Sequence, residues 1–595
     1  MDYRRTHDCG TLNASNIGEK VILSGWMHRR RDHGGLIFID LRDRYGLTQL
    51  IFDPRISKET HEKASSLRSE WVMSITGKVR ARGEGLANPK LKTGEIEIEV
   101  ESLQILSKSK TPPFSICDEF IDVNEELRLK YRFLDIRRGK ICENLVRRHQ
   151  AMFATRNFLN EKGFLEITTP ILAKSTPEGA RDYLVPSRIS PGNFFALPQS
   201  PQIYKQLLMI SGMDRYFQIA TCFRDEDLRA ERQPEFTQID LEMSFSTPEE
   251  LFQLVEDMMS SIFKNCIDVT IQTPFRKMSY RDAMEEYGTD KPDTRFGMKF
   301  VRIDDIAERS EFSILKDQLK TGGSVKAFCV KGGAELSRRE IDRYTEFVQK
   351  FGVKGVAWMK REEAGFTSSV VKFFSQELLK EIQKRLDVET GDLVLILAQQ
   401  DGILNQAMDH LRRHIAKERK LIPKGVYEFL WVTEFPMFAI DPKTQEIESE
   451  HHPFTSPHFD DIHLLEQDPL KVRALAYDLV LNGYEIASGS QRIHDSEVQK
   501  KIFELLNLSQ EEIQNKFGFF IEALLYGTPP HLGIALGFDR INMILSDTDS
   551  IRDVIAYPKT QKAADLMMQA PSSVLPDQLH DLRINVEEMT EIQWT

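Results

Sequence analysis

Cysteine is scarce. The 595 residues hold six, at positions 9, 117, 142, 222, 266 and 329, with no CxxC pair. That excludes a disulfide framework and argues against structural zinc, whose ligands come in closely spaced pairs. No apolar run approaches the ~18 residues that cross a bilayer, and the opening MDYRRTHDCG lacks the apolar stretch of a secretory signal. No internal repeat or low-complexity tract stands out. Positive charge is not in excess either: 79 Lys+Arg against 91 Asp+Glu leave a formal −12, which rules out a uniformly basic nucleic-acid coat but not a local basic patch. What is present is ordinary globular usage, 41% hydrophobic and 29% charged, at a length that suits about four structural units. The expected setting is a reducing cytoplasm, with no membrane contact.

Texture divides the chain into stretches 1–108, 109–139, 140–284, 285–420 and 421–595. In the first, five β-rich segments (20–31, 36–44, 47–53, 71–82 and 94–106) alternate or are strand-like. Five short strands in about 100 residues suit an oligonucleotide-binding barrel, although another small β domain fits the pattern too. KTPPFSI (110–116) reads as a linker, followed by one long helical stretch from 128 to about 162. Strand-like pieces follow at 164–172, 194–198, 215–223 and 236–245. Between 285 and 420 helical pieces such as 336–352 alternate with short strands such as 392–399, as in an inserted α+β module. Strand signals resume at 428–440, 477–490 and 533–545.

Three segments concentrate chemistry. In 215–245, two alternating strands flank a loop in which Arg224, Arg229 and Arg232 sit among Asp225, Glu226, Asp227 and Glu231. On the second strand Gln238, Asp240 and Glu242 share one face, and Ile239, Leu241, Met243 and Phe245 the other. A solvated sheet face explains the strand alone, but the arginine-rich tip suits phosphate oxygens, with carboxylates for Mg²⁺ or for ordering the arginines. In 533–545 small residues alternate along a strand before Asp539–Arg540 opens a helix. Gly533 and Gly537 there permit close backbone approach. In 477–494 Asp478 and Glu485 can share a divalent ion. Glu485 and Arg492, seven apart, reach one site only if the chain bulges, and Gly489 is the expected place. The loop 175–186 is either a lid or plain surface. HHPFTSP (451–457) supplies substrate contacts or plain loop polarity, because adjacent histidines are a poor metal pair.

Together these segments resemble class II aminoacyl-tRNA synthetases, and within them the bacterial-type aspartyl branch, over nearly the whole chain. GFLEITTPIL (163–172) is similar to the family's first motif, with Pro170 at the expected dimer contact. FRDEDLRAERQPEFTQID (223–240) is similar to the second and GIALGFDR (533–540) to the third. ALPQSPQIYKQLLM (196–209), GARDYLVPSR (179–188), HHPFTSP and YGTPPHLG (526–533) resemble the aspartyl branch. VKGGAELSRREID (330–342) resembles a module shared with a tRNA-dependent amidotransferase. The implied fold is an α+β multidomain chain: an N-terminal OB-fold barrel, an antiparallel sheet flanked by helices, and an inserted α+β module. The family uses neither a Rossmann fingerprint nor a P-loop, and the sequence contains neither.

The resemblance implies activation of L-aspartate by ATP and transfer to tRNA(Asp), without a covalent enzyme intermediate. It assigns Arg224 and Arg540 as catalytic. Asp225, Glu226, Gln233, Glu485, Gly537, Phe538 and Asp539 join them at ATP, and Asp478 and Glu485 hold Mg²⁺, the expected cofactor. Arg492 and Lys205 bind the aspartate side chain, and Asp240, Gln202 and Ser200 its ammonium. Glu178 and His451 close over the ligand. Asparagine would be refused because its neutral amide leaves two buried cations uncompensated, a cost on the order of several kcal/mol. For the anticodon it implies Arg31, with Arg29 and Arg30 adding to the basic patch, and Phe38, Gln49 and Glu97. An isolated strand Phe is more often core. His33 and Gly85 are similar to those of relaxed members that charge both tRNA(Asp) and tRNA(Asn). A homodimer is implied. An asparaginyl or lysyl enzyme fits less well, given Arg492, Lys205 and the insertion. A non-catalytic tRNA-binding relative would be expected to have lost Arg224, Glu485 or Arg540, and an unrelated single-strand-binding protein leaves the C-terminal motifs unexplained.

Overall fold

The computed structural model describes residues 4–118, 121–176, 179–228 and 231–586. The chain forms two compact units. One comprises Met1–His149, Leu228–Gln233 and Ser546–Ser573; the other comprises Gln150–Asp227, Pro234–Leu545 and Val574–Thr595.

The first unit carries a closed five-stranded barrel of Lys20–His33, Leu36–Arg42, Leu47–Phe52, Ile96–Ser107 and Val72–Ala81, in that order. Period-two patterning sends Val21, Leu23, Ile37, Ile39, Leu50, Ile75 and Ile98 into one core. All five expected strands are present. A short helix, Lys58–Ser65, was not anticipated. It is capped by Ser57 and buries only Thr60 and Ala64, too little for an apolar period to show. The single helix expected over 128–162 is three: Glu125–Lys130, Arg132–Asp135 and Gly139–Glu161. Tyr131 leaves helical geometry at φ −111°, ψ 39°. Buried Asp135 then gathers Arg128, Arg132 and Arg138.

The second unit is built on an eight-stranded sheet. Its order is Arg276–Ser279, Phe429–Thr433, Ala476–Leu481, Tyr484–Gln491, His531–Gly537, Glu235–Ser244, Arg215–Phe223, Leu165–Glu166. The interior pairings are antiparallel and the two outermost parallel. One face carries Ile239, Leu241, Leu479, Ile534 and Leu536 into a core shared with helices Pro248–Ile267 and Phe538–Leu545. The strand expected over 164–172 shrinks to Leu165–Glu166. Beyond it the Thr169 amide turns to the Gln218 side chain, and Pro170 cannot donate to a ladder. Ile171 and Leu172 stay half-exposed. The strand expected over 428–440 breaks at Glu434, whose φ is +59°. Within 285–420 lies a separate sheet, Val301–Arg302, Ser324–Val330, Leu393–Gln399, Ala357–Glu362 and Gly365–Thr367. It packs with helices that include Arg338–Gln349 and Asp401–Glu418.

Candidate active site and anticodon surface

Opposite its apolar face, the large sheet presents a polar one, and the register says which residues share it. Residues paired across an antiparallel ladder point the same way. Asp240 pairs with Gln218 and Ala535, Glu242 with Tyr216 and Gly533, and Gln238 with Gly537. On the next strands Ser488 pairs with Asp478 and Ser490 with Ala476. The small residues at 533, 535 and 537 form a low floor between taller polar walls.

A bulge does bring Glu485 onto this face, but not at Gly489. The ladder steps from Leu479↔Ala487 to Val480↔Glu485, so Ile486 is the extra residue. Ile486 and Ala487 both enter the core, and Glu485 emerges on the side of Asp478, Ser488 and Ser490. Gly489 stays in register and is small for another reason: a Cβ there would lie 2.3 Å from the Gly533 carbonyl oxygen.

At the heart of the face is a buried tetrad. Arg492 donates Nε to Glu242 Oε1 at 2.8 Å and Nη2 to Oε2 at 3.2 Å. Lys205 Nζ lies 3.1 Å from Asp240 and 3.6 Å from Glu242. All four side chains are at most 2% exposed. Burial pushes the Glu242 carboxyl up, but Arg492 and Lys205 outweigh it and hold it below the usual range. Burial keeps Asp240 above that range despite Lys205. The two cations are therefore already compensated, which corrects the expectation that asparagine would leave them bare. Glu242, noted in the sequence only for its face, is the centre of the group.

Helix Gln202–Ile210 delivers Lys205. Gln202, Lys205, Gln206 and Met209 are spaced along one helical face and all are buried, so polar groups occupy an otherwise apolar stripe. Gln206 Oε1 lies 3.2 Å from His531 Nε2. Ser200 Oγ accepts from the Gln202 amide. Of the two adjacent histidines it is His452 that meets Arg492, Nε2 to Nη1 at 2.8 Å. His451, the one expected, stands edge-on to Phe435, and burial lowers its pKa to about 4.

The loop over 179–183 is tied down by Gln199, which bonds Ala180 in both directions and Asp182 Oδ1. Arg181 and Asp225 form a bridge. Glu178 lies outside the described residues, as does Arg229. Arg224 stacks its guanidinium over Phe236 at 5.1 Å. Arg540 donates Nη1 to the Glu485 carbonyl. Asp478 is buried, and burial together with the Glu485 charge pushes its carboxyl well up. Six buried polar atoms in this set have no partner among the described residues: Arg224 Nε, Arg540 Nε, Asp240 Oδ2, Asp478 Oδ1, Gln202 Nε2 and His451 Nε2.

Three residues expected at ATP make contacts within the protein. Phe538 is wholly buried in the core. Asp539 accepts from the Thr237 amide at 2.8 Å, fixing the start of its helix to the sheet. Gln233 belongs to the first unit, where its amide bonds both backbone groups of Lys559. Gly537 has room for a methyl, with nothing nearer than 3.7 Å.

On the barrel, Phe38 is not core. Ile37 and Ile39 point inward, and Phe38 shares the outer face with Arg31, Asp40 and Gln49. Gln49 donates to Glu97 at 2.7 Å, Arg80 to Glu97 at 2.9 Å, and Arg31 to Asp40 at 2.8 Å. Arg30 turns away to the Ser65 carbonyl and Arg29 to Asp118. His33 ends its strand at a tip where Gly34 and Gly35 have positive φ, and Gly85 (φ +76°) has open space around it. His28, Glu70 and Cys117 come close enough to share a metal. Arg42 and Arg137 already occupy Glu70, at 2.8 and 3.1 Å.

Comparison with known proteins places this geometry. The family described as tRNA synthetases class II (D, K and N) matches residues 124–561, and an OB-fold nucleic acid binding domain matches 21–106. The chain belongs to the class II tRNA synthetases of that group. Similar relatives include an aspartate–tRNA(Asp/Asn) ligase of Protochlamydia amoebophila, 61% identical over all of this chain and 99% of that one. Another, of the same name, from Chlamydia trachomatis serovar L2, is 56% identical over 98% of this chain and all of that one. Among solved structures, asparaginyl-tRNA synthetase from Pyrococcus horikoshii with asparaginyl-adenylate superposes at TM-score 0.59 and 19% identity, over 93% of this chain and 98% of that one. Aspartyl-tRNA synthetase from Entamoeba histolytica gives 0.55 at 18%, over 92% and 89%. These two share the fold. No helix among the described residues is long and apolar enough to cross a membrane.

Proposed function

We propose that the chain is an aspartate–tRNA ligase of relaxed specificity, charging both tRNA(Asp) and tRNA(Asn). The observation that carries it is the buried Lys205–Asp240–Glu242–Arg492 tetrad on the polar face. In a family that handles aspartate, lysine or asparagine, the N–H donors that Lys205 and Arg492 keep beyond their bonds to Asp240 and Glu242 favour the acceptor-only side chain of aspartate. Lysine would bring a third positive charge. The amide of asparagine would turn donors toward the donors of Lys205 and Arg492.

The aspartate α-carboxylate attacks the α-phosphorus of ATP, and the bond to pyrophosphate breaks. The 3′-terminal ribose hydroxyl of tRNA then attacks the aspartyl carbonyl and releases AMP. Arg224 bridges the α-phosphate and the reacting carboxylate, and Arg540 the far phosphates. Asp240, Gln202 and Ser200 take the ammonium. Glu178 and His451 close over the ligand, while Asp225, Glu226 and Gln233 assist at ATP. These groups act by fixed position and charge, with no covalent step on the protein. The six unpartnered buried atoms support this, because such groups persist where a ligand completes them. Asp478 and Glu485 fit Mg²⁺: a buried carboxylate oxygen without a partner beside a second carboxylate is a hard-cation donor set. When bound, the ion neutralises phosphate charge.

Arg31, Phe38, Gln49 and Glu97 read the anticodon, with His33 and Gly85 permitting tRNA(Asn). Exposed Leu165, Ile171 and Leu172, each about half accessible, support a homodimer through this segment. The six cysteines, none in a disulfide among the described residues, support a reducing cytoplasm. Charging of purified tRNA(Asp) and tRNA(Asn) with labelled aspartate tests the reading. Comparable charging of both is expected, charging of tRNA(Asp) alone removes the relaxed specificity, and charging of neither removes the function.

A further inference from the structure

The inserted module has no role in the chemistry described so far, yet one of its helices holds a loop that reaches the Asp478–Glu485 carboxylates. The loop, residues 288–297, leaves helix Tyr280–Tyr287 at Gly288. Gly288 has φ +71° and lies so close to helix Asp401–Glu418 that a Cβ would meet the Asn405 carbonyl oxygen at 2.5 Å. At the other end Arg412, from the same helix, donates to the carbonyls of Asp293, Phe296 and Gly297 at 2.7–3.1 Å. Its guanidinium stands over the rings of Phe296 and Tyr287, 4.2 and 4.9 Å from their centres. Arg412 is fully buried and has no carboxylate partner within salt-bridge distance among the described residues. A buried cation held by carbonyls alone is costly, and packing does not require one.

Between these two clamps the loop does two things. Asp293, itself tied to Arg295, abuts Gly483, where a Cβ would come within 3.0 Å of Asp293 Cβ. Gly483 is the turn joining the strands that carry Asp478 and Glu485. Lys291 then places its exposed ammonium 3.9 Å from Glu485 and 3.5 Å from Asp290. At 3.9 Å from a partly exposed carboxylate, the ammonium lies within reach of a phosphate group held beside Glu485.

We infer that Lys291 is a further ligand for the ATP polyphosphate and the departing pyrophosphate, and that Arg412 is the positioning residue through which the inserted module sets it. The inference rests on the proposed ATP-dependent reaction, and the test separates the two. In the full-length chain, Lys291→Met raises the KM for ATP in aspartate-dependent pyrophosphate exchange about tenfold, the loss of one charge-assisted phosphate contact. The KM for aspartate stays within about twofold. Lys291→Arg restores ATP binding. Arg412→Met shows the same ATP-selective defect, and the double variant is no worse than Lys291→Met alone, because both changes remove one contact. A general loss of structure would instead move both KM values and multiply. Should Arg412→Met not fold, Arg412→Lys is read the same way.

Calorimetric titration with Mg–ATP alone needs no turnover. Parent protein that binds Mg–ATP but exchanges nothing defeats the aspartate reaction and leaves the Lys291 comparison legible in the binding constants. Unchanged ATP affinity in Lys291→Met, or multiplicative effects in the double variant, overturns the inference.

Discussion

Glu242 and Gly533 face each other across neighbouring strands, and a Cβ on residue 533 would lie 1.8 Å from Glu242 Oε2. The absence of that methyl lets the carboxylate lie flat against the sheet and meet Arg492. Gly533→Ala leaves the backbone conformation allowed but expels the carboxylate, so Arg492 loses a partner in a buried site. Breaking a buried pair in this way costs about 3–5 kcal/mol. The expected result is a lower denaturation midpoint together with a raised KM for aspartate in pyrophosphate exchange. A variant with parental stability and aspartate affinity would show that the carboxylate has another place to go.

Asp478 should display a conflict between stability and activity. Its folded pKa is raised above the unfolded value by burial and by Glu485. The folded state therefore holds this proton more tightly, and the group's contribution to stability falls as pH rises above about 4. At neutral pH Asp478→Asn removes the penalty and keeps the shape. It should melt at a higher temperature than the parent in the absence of Mg²⁺, while exchange activity drops by about 10²-fold or more for want of a hard ligand. Chelation of Mg²⁺ should abolish parental activity and leave its melting unchanged. A variant that is both less stable and active refutes the assignment.

How much of this was legible in the sequence depends on whether the signal was local. The five barrel strands were readable because every second residue enters a single core. The polar face of Gln238, Asp240 and Glu242 was readable from the same alternation. Register between strands far apart in the chain was not, so the centrality of Glu242 could not be seen: it depends on Gly533 lying opposite and on Arg492 arriving from 250 residues away. The bulge was required by the odd spacing of Glu485 and Arg492, yet its place was misjudged. Gly489 invited it, but Gly489 is needed for close contact with Gly533, and Ile486 carries the extra residue because both Ile486 and Ala487 can be buried. His451 and His452 are indistinguishable as neighbours in a string, and only the fold shows which reaches Arg492. Phe538 and Asp539 sat inside a motif, and their side chains turn out to secure the helix that follows.

His451 offers a test by pH. Burial holds its pKa at about 4, below the ordinary 6.5. Between those values the unfolded chain binds a proton that the folded chain does not, so stability rises with pH through the window and this contribution is level above about 6.5. The slope is at most about 1.4 kcal/mol per pH unit for one proton. His451→Gln keeps a neutral polar side chain and removes the proton. Unfolding midpoints measured from pH 4.5 to 7.5 should therefore be less pH-dependent in the variant, with the parent losing stability relative to it as pH falls below about 6.5. Parallel curves would mean that His451 titrates normally.

If the barrel surface reads the anticodon as proposed, recognition and chemistry can be separated. Phe38 stands outside the core with Arg31, Gln49 and Glu97 on one face, where an unstacked base can lie on the ring. Such stacking is worth about 1–3 kcal/mol per base, so Phe38→Ala should weaken tRNA binding by about 5- to 150-fold. The ring is not part of the apolar core, which predicts an unaltered melting temperature for the barrel. Pyrophosphate exchange, which needs no tRNA, should proceed at the parental rate, while aminoacylation shows a higher KM for both tRNA(Asp) and tRNA(Asn). Glu97→Ala should affect the same measurements but with a stability cost, because it leaves Gln49 and Arg80 without their shared acceptor. If Phe38→Ala lowers exchange as much as aminoacylation, or leaves the KM for both tRNAs alone, the barrel face is not where the anticodon is read.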